Sequence, residues 1–151
     1  MKLAQWVRNR ARALFQIYGT RKTKEALLDA EFAAGEWAFL DETSGDIVYS
    51  LIGEWARGGS ILDLGCGSGI TANELKPRAY RKYTGVDMSS VALERAKARS
   101  ALTHRSDRVH FVQSDVLTYV PTEEFNVILF RESIYYIATN EIISLLMRYA
   151  R

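Results

Sequence analysis

The stretch Ser60-Ile61-Leu62-Asp63-Leu64-Gly65-Cys66-Gly67-Ser68-Gly69 decides how the rest of the chain is read. Its first half is a short apolar run bounded by glycine, the pattern of a strand buried on both faces. Gly65, Gly67 and Gly69 follow without a gap, and a helical pattern begins at Ile70. A strand that passes through such a turn into a helix presents backbone N–H groups to a ligand and lets the ligand come close to the main chain. The spacing is G-x-G-x-G. It differs from the dinucleotide fingerprint G-x-G-x-x-G, whose last glycine would fall where Ile70 stands. The competing explanation of the triplet is a tight strand-to-helix turn that needs small residues.

On either side of this turn the chain alternates strands and helices. Upstream, Ile47, Val48, Leu51, Ile52 and Trp55 recur at helical spacing, with Thr43 or Ser44 as cap and Gly58-Gly59 as stop. Downstream, the spacing gives a short helix from Ile70 to Lys76 closed by Pro77, a strand from Lys82 to Asp87, and a helix from Ser89 or Ser90 to about His104. It then gives strands from Arg108 to Gln113 and Glu124 to Phe130, and a last helix from Thr139 or Asn140. Such alternation implies a parallel, doubly wound sheet with helices on both faces. Residues 44–151 form that domain, and residues 1–43 a helical arm or lid.

In this architecture a ligand lies at the carboxyl ends of the strands. Asp87 ends the second strand, 22 positions after Gly65, close to the ~20 expected of an acid that binds a ribose. The alternative for Asp87 is a helix cap. Asp115 ends the third strand. Its carboxylate can accept from an exocyclic amine, and the Val116 N–H can donate to a ring nitrogen. A capping role in the loop competes with this. Met88 and Val116 suit the faces of an adenine, or plain packing. Ser114 and Arg131-Glu132-Ser133 complete the polar strand ends.

Composition excludes several classes. Cys66 is the only cysteine, so no intrachain disulfide and no cysteine cluster can form. Cys66 itself reads as a small buried residue of the turn. His104 and His110 stand apart, with no metal-ligand spacing. His110 is expected to be structural and His104 to complement a helix end. No apolar run approaches the ~20 residues of a membrane span, and no signal peptide is visible, so a cytoplasmic location is expected. Seven basic residues and no acid occupy positions 1–24, while the remainder holds all 18 acids. The domain carries no strong nucleic-acid signal. The basic arm, with Leu3, Trp6, Val7, Leu14, Ile17 and Tyr18 at helical spacing, has three readings. It is a lid carrying Tyr18, Trp37 or Phe39 to the ligand, a face for an acidic substrate, a membrane surface or RNA, or a helix with a solvated basic side.

The segments 61–69 (ILDLGCGSG), 83–90 (YTGVDMSS), 112–116 (VQSDV) and 125–137 (FNVILFRESIYYI) resemble the successive motifs of class I S-adenosylmethionine-dependent methyltransferases. The resemblance spans about Ile47 to Tyr149. It implies a Rossmann-like three-layer α/β/α domain, of which the chain holds the first four strands of a seven-stranded, mostly parallel sheet. It implies S-adenosylmethionine as cofactor and S-adenosylhomocysteine as product. The site residues carried over are Asp63, Gly65, Cys66, Gly67 and Gly69 on the methionyl side, Asp87 on the ribose, and Met88, Ser114, Asp115 and Val116 on the adenine. Arg131 to Tyr136 would flank the methyl group. Glu132, Tyr135 and Tyr136 are the candidate catalytic residues, as base or pocket wall, and the acceptor is expected to be a small molecule. Strand four would be an apolar edge, covered by a partner or by further chain. The competing functions are a non-catalytic cofactor-binding or scaffold domain and an NAD-dependent oxidoreductase.

Overall fold

The computed structural model describes Arg12, Leu14 and residues 18–149. Most of the expected first helix, from Leu3 to Ile17, lies outside the described residues. Helix α1 (Arg21–Ala34) starts where the Thr20 hydroxyl accepts from the Thr23 N–H, and stops at Gly35 in the left-handed conformation. A 3-10 turn (Ala38–Asp41) leads to α2 (Ile47–Ala56). The cap of α2 is Asp46, whose carboxylate accepts from the Val48 N–H at 3.2 Å, not Thr43 or Ser44. Gly45 has a positive φ and adds a turn before the helix. The two hydroxyls are used elsewhere, Thr43 on the Leu40 carbonyl and Ser44 on Glu74.

Strand β1 (Ser60–Leu64) is buried throughout. It leads into α3 (Ile70–Glu74), then β2 (Lys82–Asp87), α4 (Ser90–Leu102), β3 (Val109–Gln113), β4 (Val127–Leu129), a 3-10 turn (Ile134–Tyr136) and α5 (Thr139–Tyr149). Helix α3 is two residues shorter than expected. Leu75 is already extended, ahead of Lys76, which Pro77 keeps out of the helical region. Arg105 caps its free carbonyls, donating to Ala72 and Leu75 at 2.6 and 2.7 Å. Strand β4 covers less than the expected Glu124 to Phe130, because among the described residues it pairs on one side only, Ile61 to Asp63 against Val127 to Leu129. The Asn126 side chain just before it accepts from the Ser60 N–H.

All strand pairs are parallel, in the order β3-β2-β1-β4. The sheet is the centre of a Rossmann-like α/β/α sandwich with separate cores on its two faces. One core packs Tyr49, Ile52 and Ala56 of α2 and Leu75 against Ile61, Tyr80 and Tyr83. The other packs Leu145 and Tyr149 of α5 and Ile137 against Leu62, Leu64 and Val86. Alternation along β1 therefore puts Asp63 on the α2 face with Ile61. A third cluster joins Phe32 and Trp37 of the N-terminal segment to Ala92 of α4 and Tyr136. The order reverses between β1 and β4, and the turns leaving β1 and β2 meet beside that point. Among the described residues no helix is long and apolar enough to cross a membrane.

Candidate functional site

A cavity opens over the carboxyl ends of the strands. Its floor is the turn after β1. Gly65 has a φ of +84°, and a Cβ there would lie 2.5 Å from the Ser133 Cβ. The Ser133 hydroxyl donates to the Leu64 carbonyl at 2.6 Å, so the loop after β4 is drawn against the turn. Gly65, Cys66 and Gly67 line the cavity; Gly69 does not. A Cβ on Gly69 would stand 2.8 Å from the Ala96 Cβ, which makes this glycine a condition for packing α3 on α4.

Two carboxylates flank the turn. Asp87 is buried, and both its oxygens are held by backbone donors: Oδ2 by the Gly67 N–H at 2.8 Å, Oδ1 by the Ser89 N–H at 2.9 Å. Burial pushes its pKa up, against the lowering effect of these donors. Each oxygen keeps a lone pair for a ligand hydroxyl. Asp63 is 1% exposed. Its Oδ2 accepts from the Tyr83 hydroxyl, while its Oδ1 has no hydrogen-bond partner among the described residues. Burial raises its pKa to about 7, although the Tyr83 hydrogen bond and the charge of Arg131 favour the ionised form. An orphaned buried carboxylate oxygen beside a cavity suits a cationic ligand group.

Met88, Ser114, Asp115 and Val116 line the adjoining part of the cavity. The Asp115 Oδ1 accepts from the Leu117 N–H at 2.9 Å, so one oxygen serves the capping role that competes with ligand binding. The Ser114 N–H donates to the Asp87 carbonyl and fixes the height of this loop. Cys66 is buried, and burial pushes its thiol well above its ordinary pKa, which disfavours the thiolate. Its sulfur sits where a Cβ on Gly85 would fall, at 2.7 Å. Neither histidine lines the cavity, and both are exposed. Among the described residues no three His, Cys, Asp or Glu side chains converge to hold a metal ion.

Arg131, Glu132 and Tyr136 line the side after β4. The Arg131 guanidinium lies 5.1 Å from the centre of the Tyr49 ring. Glu132 has a φ of +54°, a strained conformation for a residue with a side chain. Its Oε2 accepts from the Tyr135 hydroxyl at 2.6 Å. Tyr135 is 56% exposed and does not line the cavity. Partial burial and the Glu132 hydrogen bond both raise its pKa, which argues against a tyrosine base. Tyr136 meets Trp37 edge-on at 5.7 Å.

The roof comes from the N-terminal segment, where Lys24, Leu28, Phe32, Trp37 and Leu40 line the cavity. Of the three aromatic residues expected in a lid, Trp37 lines it, while Tyr18 and Phe39 are exposed. The Trp37 indole N–H donates to the buried Glu31 carboxylate at 3.1 Å, and Arg12 pairs with the same carboxylate. Asp41 accepts from the Ser68 hydroxyl of the glycine turn at 2.5 Å and pairs with Arg99 of α4 at 2.9 Å. Asp29 accepts from Ser89 and Ser90. Sequence reasoning missed Asp29 and Asp41, whose partners lie 60 and 27 positions away with no local pattern joining them.

Known proteins share parts of this sequence and this fold. The family model described as a methyltransferase domain matches residues 61–151. The ribosomal protein L11 methyltransferase of Shouchella clausii is 36% identical over 73 residues, 48% of this chain and 23% of that protein. A methyltransferase of Thiobacillus denitrificans, solved with S-adenosyl-L-homocysteine, superposes with a TM-score of 0.56 at 25% identity, over 72% of this chain and 46% of that one. One from Geobacter sulfurreducens, with the same ligand, gives 0.55 at 29% identity, over 68% and 43%. The chain thus spans less than half the length of each of these relatives.

Proposed function

The chain belongs to the methyltransferase-domain family, and from that premise we propose that it binds S-adenosylmethionine in this cavity and transfers the methyl group to a small-molecule acceptor. One observation carries the reading: two buried carboxylates flank the glycine turn, Asp87 clasped by N–H donors and Asp63 with one oxygen unpartnered. S-adenosylmethionine carries a ribose diol and an ammonium group, which match them in order. The residues present therefore fit the cofactor.

Asp87 accepts from the ribose hydroxyls. Asp63 takes the methionyl end, which lies close against the backbone of the turn; the N–H groups of that turn are already engaged, Gly65 and Cys66 on the Val86 carbonyl and Gly67 on Asp87. Asp115 and the Val116 N–H read the adenine edge, with Met88 and Val116 against its faces. The bound sulfonium supplies an already activated methyl group. What the chain adds is placement of the acceptor, a contribution that can reach roughly 7–11 kcal/mol. Trp37 and Tyr136 wall the acceptor side and exclude water. Glu132, fixed by Tyr135, stands ready to take a proton from an acceptor hydroxyl or amine. Strand β4 pairs on one side, and the helices on either face expose Trp55 and Met147. We propose that a partner or further chain covers this edge in the whole protein.

Calorimetric titration with S-adenosylhomocysteine tests the cofactor assignment, with NAD run alongside. Saturable binding of the first alone is expected. A folded sample that takes up neither would refute it.

A further inference from the structure

Asp87 is oriented from one side by the Gly67 N–H and from the other by the Ser89 N–H. Ser89 is fully buried, and its hydroxyl accepts from the Ala92 N–H at 3.1 Å at the start of α4. A hydroxyl has a single proton to give, and Ser89 gives it to Asp29 Oδ1 at 2.6 Å. Asp29 lies on α1, outside the residues matched to the methyltransferase domain. It also accepts from the Val91 N–H at 3.2 Å and, through Oδ2, from the Ser90 hydroxyl at 3.0 Å. The N-terminal turn of α4 is thus held from outside by a residue of the roof. That turn in turn supplies one of the two donors that fix the Asp87 carboxylate.

We propose that Asp29 is a positioning residue for the cofactor's ribose, acting through Ser89 on the carboxylate of Asp87. The proposal rests on the reading of the cavity as an S-adenosylmethionine site. Without Asp29 the Ser89 hydroxyl is left with a buried proton and no acceptor. Relief comes by turning the side chain away from Ala92, which frees the first turn of α4 and moves the N–H that holds Asp87 Oδ1. Burial alone would raise the Asp29 pKa, but the Ser89 hydroxyl and the Val91 N–H outweigh it, and the carboxylate is held below its ordinary value. Asp29 is therefore ionised at neutral pH and its charge sits at the positive end of the α4 dipole. The roof does more than cover the cavity: it sets the geometry of the floor.

The test is calorimetric titration of the full chain with S-adenosylhomocysteine, paired with thermal melts, for wild type, Asp29→Ala, Asp29→Asn, Ser89→Ala, Ser90→Ala and the Asp29→Ala/Ser89→Ala pair. Asp29→Ala is expected to weaken binding about tenfold, the equivalent of one net hydrogen bond. Asp29→Asn keeps an oxygen for Ser89 and should stay within about threefold of wild type, since the lost bond is the one to Ser90. The double variant should bind no more weakly than Ser89→Ala, the signature of a shared route. Ser90→Ala removes a bond to Asp29 that does not lead to Asp87, so it should lower the melting temperature and leave affinity unchanged. If Asp29→Ala does not fold, the contrast of Ser89→Ala with Ser90→Ala decides the same question. Wild-type affinity in Asp29→Ala, or equal losses in the two serine variants, or independent effects in the pair, would overturn the proposal. Failure of the wild-type chain itself to bind would instead overturn the cofactor assignment on which it rests.

Discussion

The floor of the cavity and its roof are held by different means. The floor joins the ends of β1, β2 and β3 through backbone donors: the Gly67 and Ser89 N–H groups on the Asp87 carboxylate and the Ser114 N–H on the Asp87 carbonyl. The roof is tied down by side chains from distant parts of the chain: Asp29 on Ser89, Asp41 on Ser68, Phe32 against Gly67 and Trp37 on Tyr136. A floor built from N–H groups takes most of its shape as the strands pair in register, and the roof adjusts only the Ser89 donor, through Asp29. A roof built from side chains exists only after the whole domain has folded. Variants should therefore divide the two, with losses of fold and of ligand binding concentrated in the floor and smaller, partial losses in the roof.

The largest expected effect is Gly69→Ala. A left-handed φ costs a side-chain residue about 1–2 kcal/mol, and forcing the Cβ against Ala96 adds about 1–3 kcal/mol. Thermal melting should show a drop of many degrees, and an unchanged melt would mean that α3 and α4 are not packed through this glycine. Next comes Asp87→Ala. Loss of two charge-assisted bonds to a diol, at about 1.5–3 kcal/mol each, predicts at least a hundredfold weaker S-adenosylhomocysteine binding. A change below threefold would remove Asp87 from the site.

A third prediction concerns pH. The Asp63 pKa is raised from 3.8 to about 7. In the unfolded chain the group is ionised above about 4, so between about 4 and 7 the folded state holds more protons than the unfolded state. Stability of the unliganded protein should therefore fall as pH rises through that window. An ammonium beside Oδ1 favours the ionised form, so ligand affinity should rise with pH, by up to about tenfold per unit below 7, and level off above it. Asp63→Asn should flatten both profiles. A wild-type affinity that is flat from about pH 5.5 to 7.5, the upper part of that window and just beyond it, would show that Asp63 does not meet the cation.

The roof gives the smaller effects. Trp37→Phe keeps an aromatic ring in the roof and loses the indole N–H bond to Glu31, so it should cost about 0.5–1.5 kcal/mol of stability and leave S-adenosylhomocysteine affinity within about threefold, since every polar anchor stays. Smallest of all, Tyr135→Phe should leave cofactor affinity unchanged within twofold, because the hydroxyl lies outside the cavity and holds only Glu132. Its effect, if the acceptor meets Glu132, is confined to methyl transfer.

The same division explains what is legible in the sequence. Asp87 and Asp115 stand at the ends of apolar runs, and a strand end followed by a helix start is a local pattern. The parallel order follows from the alternation of strands and helices. Gly69 has the spacing of a third ligand-facing glycine, but its neighbour is Ala96, which no local pattern could reveal. The cap of α2 is Asp46 rather than Thr43 or Ser44 because Gly45 offers a turn that composition alone does not place. Asp29 and Asp41 are invisible, since an aspartate on a helical stretch reads as a solvated charge until its serine partners arrive from elsewhere. Trp37 reads as one of three lid aromatics, and only burial in the folded domain separates it from Tyr18 and Phe39.

That two carboxylates beside one glycine turn take the two ends of S-adenosylmethionine is best put to the test by a crystal structure with S-adenosylhomocysteine bound. Both ribose hydroxyls are expected within hydrogen-bond distance of Asp87, with the ammonium facing the Asp63 Oδ1 that now lacks a partner. A ligand whose ribose meets neither oxygen of Asp87, or which leaves Asp63 Oδ1 unpartnered, would contradict it.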